Sequence, residues 1–265
     1  MDLSNRNVIH IKKGDTEFLQ FRKLLEYKDV INHAYSLGKK LNFRTSTINK
    51  EKLPEQEYEA AIKSYKKICS SINCKYINLV KTNQEHTNCI KIVEKKIKTA
   101  EPDFNLEKYY KTDGLITNKK NIILSTTNAD CILLLFFDPV KKVIANTHSG
   151  WKGTIQRIAV KTVEKMIKEF HKILKEGTSD SRKDWFAVGD YKKLPNEVGG
   201  LKTTDPKYVE RDMKKLLEWY ESLKKVTIYE IIEFHAKFEK IHPFQDGNGR
   251  IGRIIAFKEC LKNNI

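Results

Sequence analysis

Apolar positions along this chain change period partway through. Up to about residue 153 they fall in short runs rich in β-branched and aromatic residues and bounded by Asn, Asp or Pro: 76–80, 90–93, 121–125, 132–138 and 143–147. Runs of that length and make-up predict strands. A helical patch at 58–72 lies among them. From residue 154 onward the period becomes helical. Val163, Met166, Ile167, Phe170, Ile173 and Leu174 recur at i, i+3, i+4 and i+7, which predicts a helix over 156–176 that ends at Gly177. Residues 185–200 carry Gly-Asp, Pro-Asn and Gly-Gly pairs and predict a hairpin. Val209, Met213, Leu216, Leu217 and Tyr220 mark one face of a helix over 208–220. Ile228, Ile231, Ile232, His235 and Phe238 mark another over 227–241, and 251–261 is the last. The expected fold class is therefore α+β, a mixed α/β part followed by an all-α bundle carrying a β-hairpin. No Pro-, Gly- or Ser-rich connector separates the two textures, unlike a usual domain boundary.

A length of 265 residues suits about two domains. The net charge of +16 raises the question of nucleic acid. Lysines dominate it, however, and they alternate with glutamates along the helices, as in Glu164-Lys165, Lys168-Glu169 and Glu239-Lys240. No basic cluster is interleaved with aromatics as a strand-tracking groove requires, so nucleic acid is not an expected partner. The longest purely apolar run, 132–137, is far below the roughly 20 residues of a membrane span. Residues 1–14 lack the apolar core of a secretory signal. Five cysteines without a C-x-x-C pair fit a reducing, cytoplasmic setting. Cys69, Cys74, Cys260, Trp185, Trp219 and His235 read as packing residues.

The densest chemistry lies in His242-Pro243-Phe244-Gln245-Asp246-Gly247-Asn248-Gly249-Arg250-Ile251-Gly252-Arg253. A glycine-flanked turn at the start of an amphipathic helix can turn successive backbone N–H groups toward an anion. Arg250 and Arg253 share a helix face and add two guanidinium forks, which suits a polyphosphate. Asp246 adjoins the nest and can hold Mg²⁺ against phosphates. An imidazole such as His242 can take a hydroxyl proton near neutrality. The stretch resembles the signature of the Fic (Fido) family, His-x-Phe-x-(Asp/Glu)-Gly-Asn-Gly-Arg-x-x-Arg, at every specified position. Gly189-Asp190-Tyr191-Lys192-Lys193 and Pro195-Asn196-Glu197-Val198-Gly199-Gly200 look like that family's β-hairpin flap. The resemblance spans about 169–265. It implies transfer of AMP from ATP to a Ser, Thr or Tyr hydroxyl of a target protein. His242 would be the base and Asp246 the Mg²⁺ ligand. Gly247, Asn248, Gly249 and Arg250 would hold the α- and β-phosphates, and Arg253 the γ-phosphate. The flap would clamp the target by strand addition. The family's inhibitory (Ser/Thr)-x-x-x-Glu-(Gly/Asn) segment is not found, so any inhibition is expected from a partner in trans or from lost sequence.

The first half offers a second constellation: His86 between strand runs, Cys131 opening the run 132–138, and His148 closing the run 143–147. Two imidazoles and a thiolate suit a zinc with an open fourth position. From spacing alone, a core thiol and two surface histidines are the commoner outcome. The segments Asp113-Gly114-Leu115-Ile116-Thr117, Ala129-Asp130-Cys131 and Thr147-His148-Ser149-Gly150-Trp151-Lys152-Gly153-Thr154 resemble the laccase-domain (YfiH-like, polyphenol oxidase-type) family. Leu133, Ser149 and Lys152 stand where that family has Pro, Ala and Arg. The resemblance implies zinc ligation by His86, Cys131 and His148, and phosphorolysis or deamination of purine nucleosides. The expected organisation is a laccase-like domain over 1–168 without its second half, then a Fic domain over 169–265 that stops after the motif helix. AMP transfer is the leading reading, a zinc-dependent purine nucleoside enzyme the second, and an inactive hybrid or fusion fragment the third.

Overall fold

The computed structural model describes residues 2–37, 40–43, 54–94, 102, 108–263 and 265. The chain divides into two compact units, Met1–Ile158 and Ala159–Ile265.

The first unit begins with a sheet that the hydrophobic pattern does not announce. Strands β1 (Val8–Lys13) and β2 (Thr16–Phe21) pair antiparallel across a two-residue turn. Gly14 takes a φ of 56° there, a value open to glycine at little cost. The inward positions of β2 are Thr16, Phe18 and Gln20. Two of these three are polar, which hides the alternation from a hydropathy reading. β3 (Tyr35–Ser36) extends the sheet beyond β2, and the short helix α1 (Arg22–Leu25) lies between.

Helix α2 (Glu55–Ser71) starts three residues before the expected patch, with Glu55 and Glu57 in its first turn, where carboxylates meet the positive end of the helix dipole. Its Ala61, Tyr65 and Cys69 pack on Leu79. The expected strand at 76–80 is corrected. Tyr76–Asn78 form a 3-10 turn, closed by Asn78 N–H to the Lys75 carbonyl at 2.9 Å, and strand β4 is only Leu79–Lys81. The remaining strands are β5 (Ile90–Ile92), β6 (Gly114–Thr117), β7 (Ile123–Ser125), β8 (Ile132–Asp138) and β9 (Val143–Ser149). β4 pairs parallel with β7. The other four form one sheet in the order β5-β6-β9-β8. Val80, Val93, Tyr109, Leu115, Ile122 and Leu124 fill the core beside it.

Helix α3 (Trp151–Ile155) and helix α4 (Ile158–Lys175) replace the single helix expected over 156–176. Arg157 takes a left-handed backbone, φ 59°, and separates them. Gly177, φ 78°, follows the end of α4.

The second unit is helical: α4 from Ala159 onward, α5 (Pro206–Glu221), α6 (Ile228–Ile241) and α7 (Asn248–Asn263). β10 (Glu197–Val198) and β11 (Leu201–Lys202) form the hairpin. Asp205 caps α5 by accepting Lys207 N–H at 3.1 Å, with Pro206 at the first helical position. Thr227 and Glu230 form a capping box on α6. Val209, Met213, Phe238 and Ile251 are fully buried and make the centre of the bundle. The expected class, a mixed α/β part followed by a helical part with a hairpin, is the one observed. Among the described residues no helix is long and apolar enough to cross a membrane.

Candidate functional site

In the second unit, α6 ends at His242, whose left-handed backbone (φ 50°, ψ 60°) turns the chain sharply into the motif. Phe244 is fully buried and stacks on His171 of α4, with centroids 4.1 Å apart and planes 4° from parallel. The His171 ring also spans two backbones. Gly189 N–H donates to Nδ1 at 3.0 Å, so Nε2 carries the proton and donates to the Asp246 carbonyl at 3.1 Å. Burial pushes the His171 pKa down to about 4, so the ring stays neutral.

Asn248 does not aim its side chain at a phosphate. Its Oδ1 accepts Phe244 N–H and its Nδ2 donates to the Phe244 carbonyl, both at 2.7 Å. What Asn248 offers a ligand is its backbone N–H, at the start of α7 beside Gly249. Gly247 takes φ 85°, a conformation that favours glycine. Asp246 accepts from Lys175 Nζ at 2.6 Å and Arg250 Nη2 at 3.3 Å. Lys175 is buried and also donates to Asp180 at 2.8 Å. The Lys175 ammonium, outweighing burial, holds the Asp246 carboxyl below the usual range. A cavity of about 490 Å³ is lined by His242, Gly249, Arg250, Arg253, Glu239 and the hairpin residue Val198, among others. All the motif residues expected at the site thus surround one space.

Three contributors escaped the sequence reading. His171 and Lys175 sit one turn apart on α4, a helix read only for its apolar stripe. Glu239 lies one turn before His242. The signal was the i, i+3 and i, i+4 spacing of ionisable residues.

In the first unit, antiparallel pairing sets Leu133 opposite His148 and brings the start of β8 to the end of β9. His86, Cys131 and His148 converge, with their ligand atoms within 4.8 Å of one another. Cys131 Sγ lies 3.5 Å from His86 Nε2. Burial and the neighbouring Asp130 push the Cys131 thiol up. The organiser is Asp113, fully buried just before β6. Its carboxylate accepts the backbone N–H of His86 (3.1 Å) and Thr87 (2.8 Å), and the Thr87 hydroxyl (2.7 Å). It also pairs with His148 Nδ1 at 2.8 Å. His148 is thereby left with Nε2 as its open donor atom. Gly150 lets His86 approach, because a Cβ there would lie 2.2 Å from His86 Cδ2. Gly153 does the same for the Thr87 carbonyl, 2.8 Å from the Cβ position. Two imidazoles and a thiol this close, with one ring oriented by a carboxylate, fit a zinc ion. The cluster opens onto a cavity of about 1590 Å³.

Comparison with known proteins divides the chain in the same sense. Residues 42–177 match the family described as multi-copper polyphenol oxidoreductase laccase, and residues 161–259 match the Fic/DOC family. Purine nucleoside phosphorylase YlmD of Bacillus subtilis is 43% identical over 77 residues, which cover 29% of this chain and 25% of that protein. Purine nucleoside phosphorylase LACC1 of Mus musculus is 47% identical over 58 residues, covering 22% of this chain and 14% of that protein. The chain thus spans a quarter or less of these curated relatives. Among solved structures, Bacillus licheniformis YfiH aligns over 63% of this chain and 58% of its own, with 23% identity and a TM-score of 0.39. A Fic family protein of Desulfovibrio desulfuricans aligns over 39% and 35%, with 26% identity and a TM-score of 0.29.

Proposed function

Because the chain belongs to the multi-copper polyphenol oxidoreductase laccase family through residues 42–177, half of its length, and also matches the Fic/DOC family over 161–259, we propose a chain with two sites whose leading activity is transfer of AMP from ATP to a protein hydroxyl. The observation that carries this reading is the shared cavity of His242, Asp246, Gly247, Asn248, Gly249, Arg250 and Arg253. ATP phosphates would lie on the N-terminus of α7, against the backbone N–H groups and the two guanidinium groups. Asp246 fits a role beside Mg²⁺: it is a hard oxygen donor, its side chain is 52% exposed, and it borders the cradle. Mg²⁺ bound there would neutralise phosphate charge. His242 would take the proton of the target hydroxyl as its oxygen bonds to the α-phosphorus and pyrophosphate leaves. The exposed edge of β10 and β11 would receive an extended segment of the target. The test is incubation of the full chain with ATP labelled at the α-phosphate, Mg²⁺ and a cell lysate. Label on protein that disappears with His242→Ala is expected, and its absence would remove the reading.

A second activity is favoured by the convergence of His86, Cys131 and His148. Zinc held by these residues would supply a polarised water or a Lewis acid to a purine nucleoside in the adjoining cavity. Asp113 would fix the His148 ring for that purpose. Metal analysis of the purified chain is expected to give close to one zinc per chain, lost in Cys131→Ala. A folded sample without zinc would refute it.

A further inference from the structure

His242 needs a free Nε2 if it is to accept a proton, and something must therefore hold the hydrogen at Nδ1. Two atoms of one residue face Nδ1: the Glu239 carbonyl at 3.3 Å and the Glu239 carboxylate Oε2 at 3.5 Å. The other carboxylate oxygen, Oε1, is shut off from solvent and has no hydrogen-bond partner among the described residues. The backbone of α7 closes over it at Gly252, where a Cβ would come within 2.6 Å of Oε1. His235 Nδ1, one turn earlier on α6, is likewise buried without a partner among the described residues and lies 2.8 Å from that same Cβ position. An unsatisfied buried carboxylate oxygen is costly, and such groups are rare where nothing uses them. Glycine at 252 is what lets α7 pack against α6 with this carboxylate between them.

We propose that Glu239 is the positioning residue of the transfer reaction: it holds the Nδ1 proton of His242, points Nε2 at the cavity, and stands as counter-anion when the ring becomes cationic. The inference rests on the AMP-transfer reading for its consequence but not for its geometry. In the step, the proton moves from the target hydroxyl to Nε2 and the oxygen bonds to the α-phosphorus. The bond from that phosphorus to its bridging oxygen breaks, and pyrophosphate leaves with the electron pair. The imidazolium formed in that step carries its charge beside Glu239, as in other base–carboxylate pairs. Glu239 does not touch the reacting atoms, and its effect runs through His242.

The experiment compares the full chain with Glu239→Gln, Glu239→Leu and Glu239→Met. Nitrogen-15 shifts of the His242 ring report its tautomer without any need for turnover. The wild type and Glu239→Gln, which keeps an acceptor in place, are expected to show the hydrogen on Nδ1. Glu239→Leu and Glu239→Met keep the backbone carbonyl but lose the carboxylate, and are expected to shift part of the population toward the Nε2–H form. For transfer of label from ATP, removal of the carboxylate is expected to lower kcat by about 10²-fold, the low end of what a general base contributes, with KM for ATP little changed. Glu239→Gln should recover part of that loss. An unchanged tautomer in a Leu or Met variant that still melts cooperatively overturns the proposal. So does a change confined to KM. If the wild type transfers no label, the AMP-transfer reading fails, and the tautomer comparison alone decides the role of Glu239.

Discussion

Asp113→Asn is the most demanding test of the proposed zinc site, because it changes one oxygen to an amide in a fully buried position. The Asp113 carboxylate serves five groups on four residues: Glu85 N–H, His86 N–H, Thr87 N–H, the Thr87 hydroxyl and the His148 ring. Asparagine accepts through only one oxygen and presents an NH₂ where the other stood. Whichever way it turns, donors meet donors. Either the His86 N–H and His148 Nδ1 side is broken, or the Glu85 and Thr87 side is. Hydrogen bonds to a charged acceptor are worth about 1.5–3 kcal/mol each, and at least two of them are broken whichever way the amide turns. The first unit should therefore lose about 3 kcal/mol or more. Zinc affinity should fall about 10–100-fold, since the ring of His148 and the backbone of His86 lose their orientation. Urea unfolding followed with and without zinc, plus competition against a fluorescent chelator, reads both quantities. The reasoning is refuted if the variant binds zinc within twofold of the wild type and unfolds at the same urea concentration.

The same carboxyl sets an acid dependence. Burial alone would raise its pKa, but the His148 ring and the donors of Thr87 and Glu85 outweigh burial and hold it below 3.8. The folded state then binds fewer protons than the unfolded chain across that interval. The stability Asp113 lends is present above the ordinary carboxylate range and is lost as pH falls through its depressed folded value.

Gly150→Ala should displace His86, since the new methyl lies 2.2 Å from Cδ2. Zinc binding measured by chelator competition should fall about tenfold or more, as for other losses of ligand orientation. Lys175→Met removes the ammonium that competes for Asp246. Calorimetric titration should show tighter Mg²⁺ binding, and weaker binding would mean that Lys175 assists the cation. Lys192 is buried, with its Nζ donating to Asn196 and Thr203 at 2.6 Å, and burial pushes its pKa down to about 8. Its unfolded form titrates near 10.5, so the unfolded chain binds more protons between those values. Its contribution to the stability of the second unit should therefore rise from pH 8 to 10.5. Lys192→Met should flatten that rise in urea unfolding curves.

The legible parts of the chain were those where hydrophobicity and structure share a period. The helices α5 and α6 carry single apolar faces, and the strands β8 and β9 are apolar runs with clear bounds. The motif residues from His242 to Arg253 were legible because their types and spacing are contiguous, so local backbone geometry alone brings them together. The rest depended on long-range pairing. The hairpin β1–β2 points Thr16 and Gln20 inward, and no hydropathy pattern marks such positions. His86, Cys131 and His148 are separated by up to 62 positions and meet only through the pairing of β8 with β9 and the bonds of Asp113. Glu239 and His171 were invisible for a different reason. Each is a polar residue on a helix whose apolar stripe already explained the element, so nothing in the pattern called for a further role.

The missing linker has a physical explanation in α4. The two family matches overlap over residues 161–177, and that interval is most of helix α4 (Ile158–Lys175). The boundary between the compact units falls after Ile158, in the first turn of that helix. One left-handed residue, Arg157, marks the change, and a single positive φ leaves no trace in composition. A helix can serve two sequence patterns because each constrains only some of its faces. Met166, Ile167 and Phe170 supply the buried apolar stripe. His171 and Lys175 supply the polar contacts to the motif loop. The geometry of the motif loop therefore depends on two residues inside the stretch common to both matches. A connector of Gly, Pro or Ser at that place would remove the ring that stacks on Phe244 and the ammonium that holds Asp246. The absence of a linker follows from the work that the junction does.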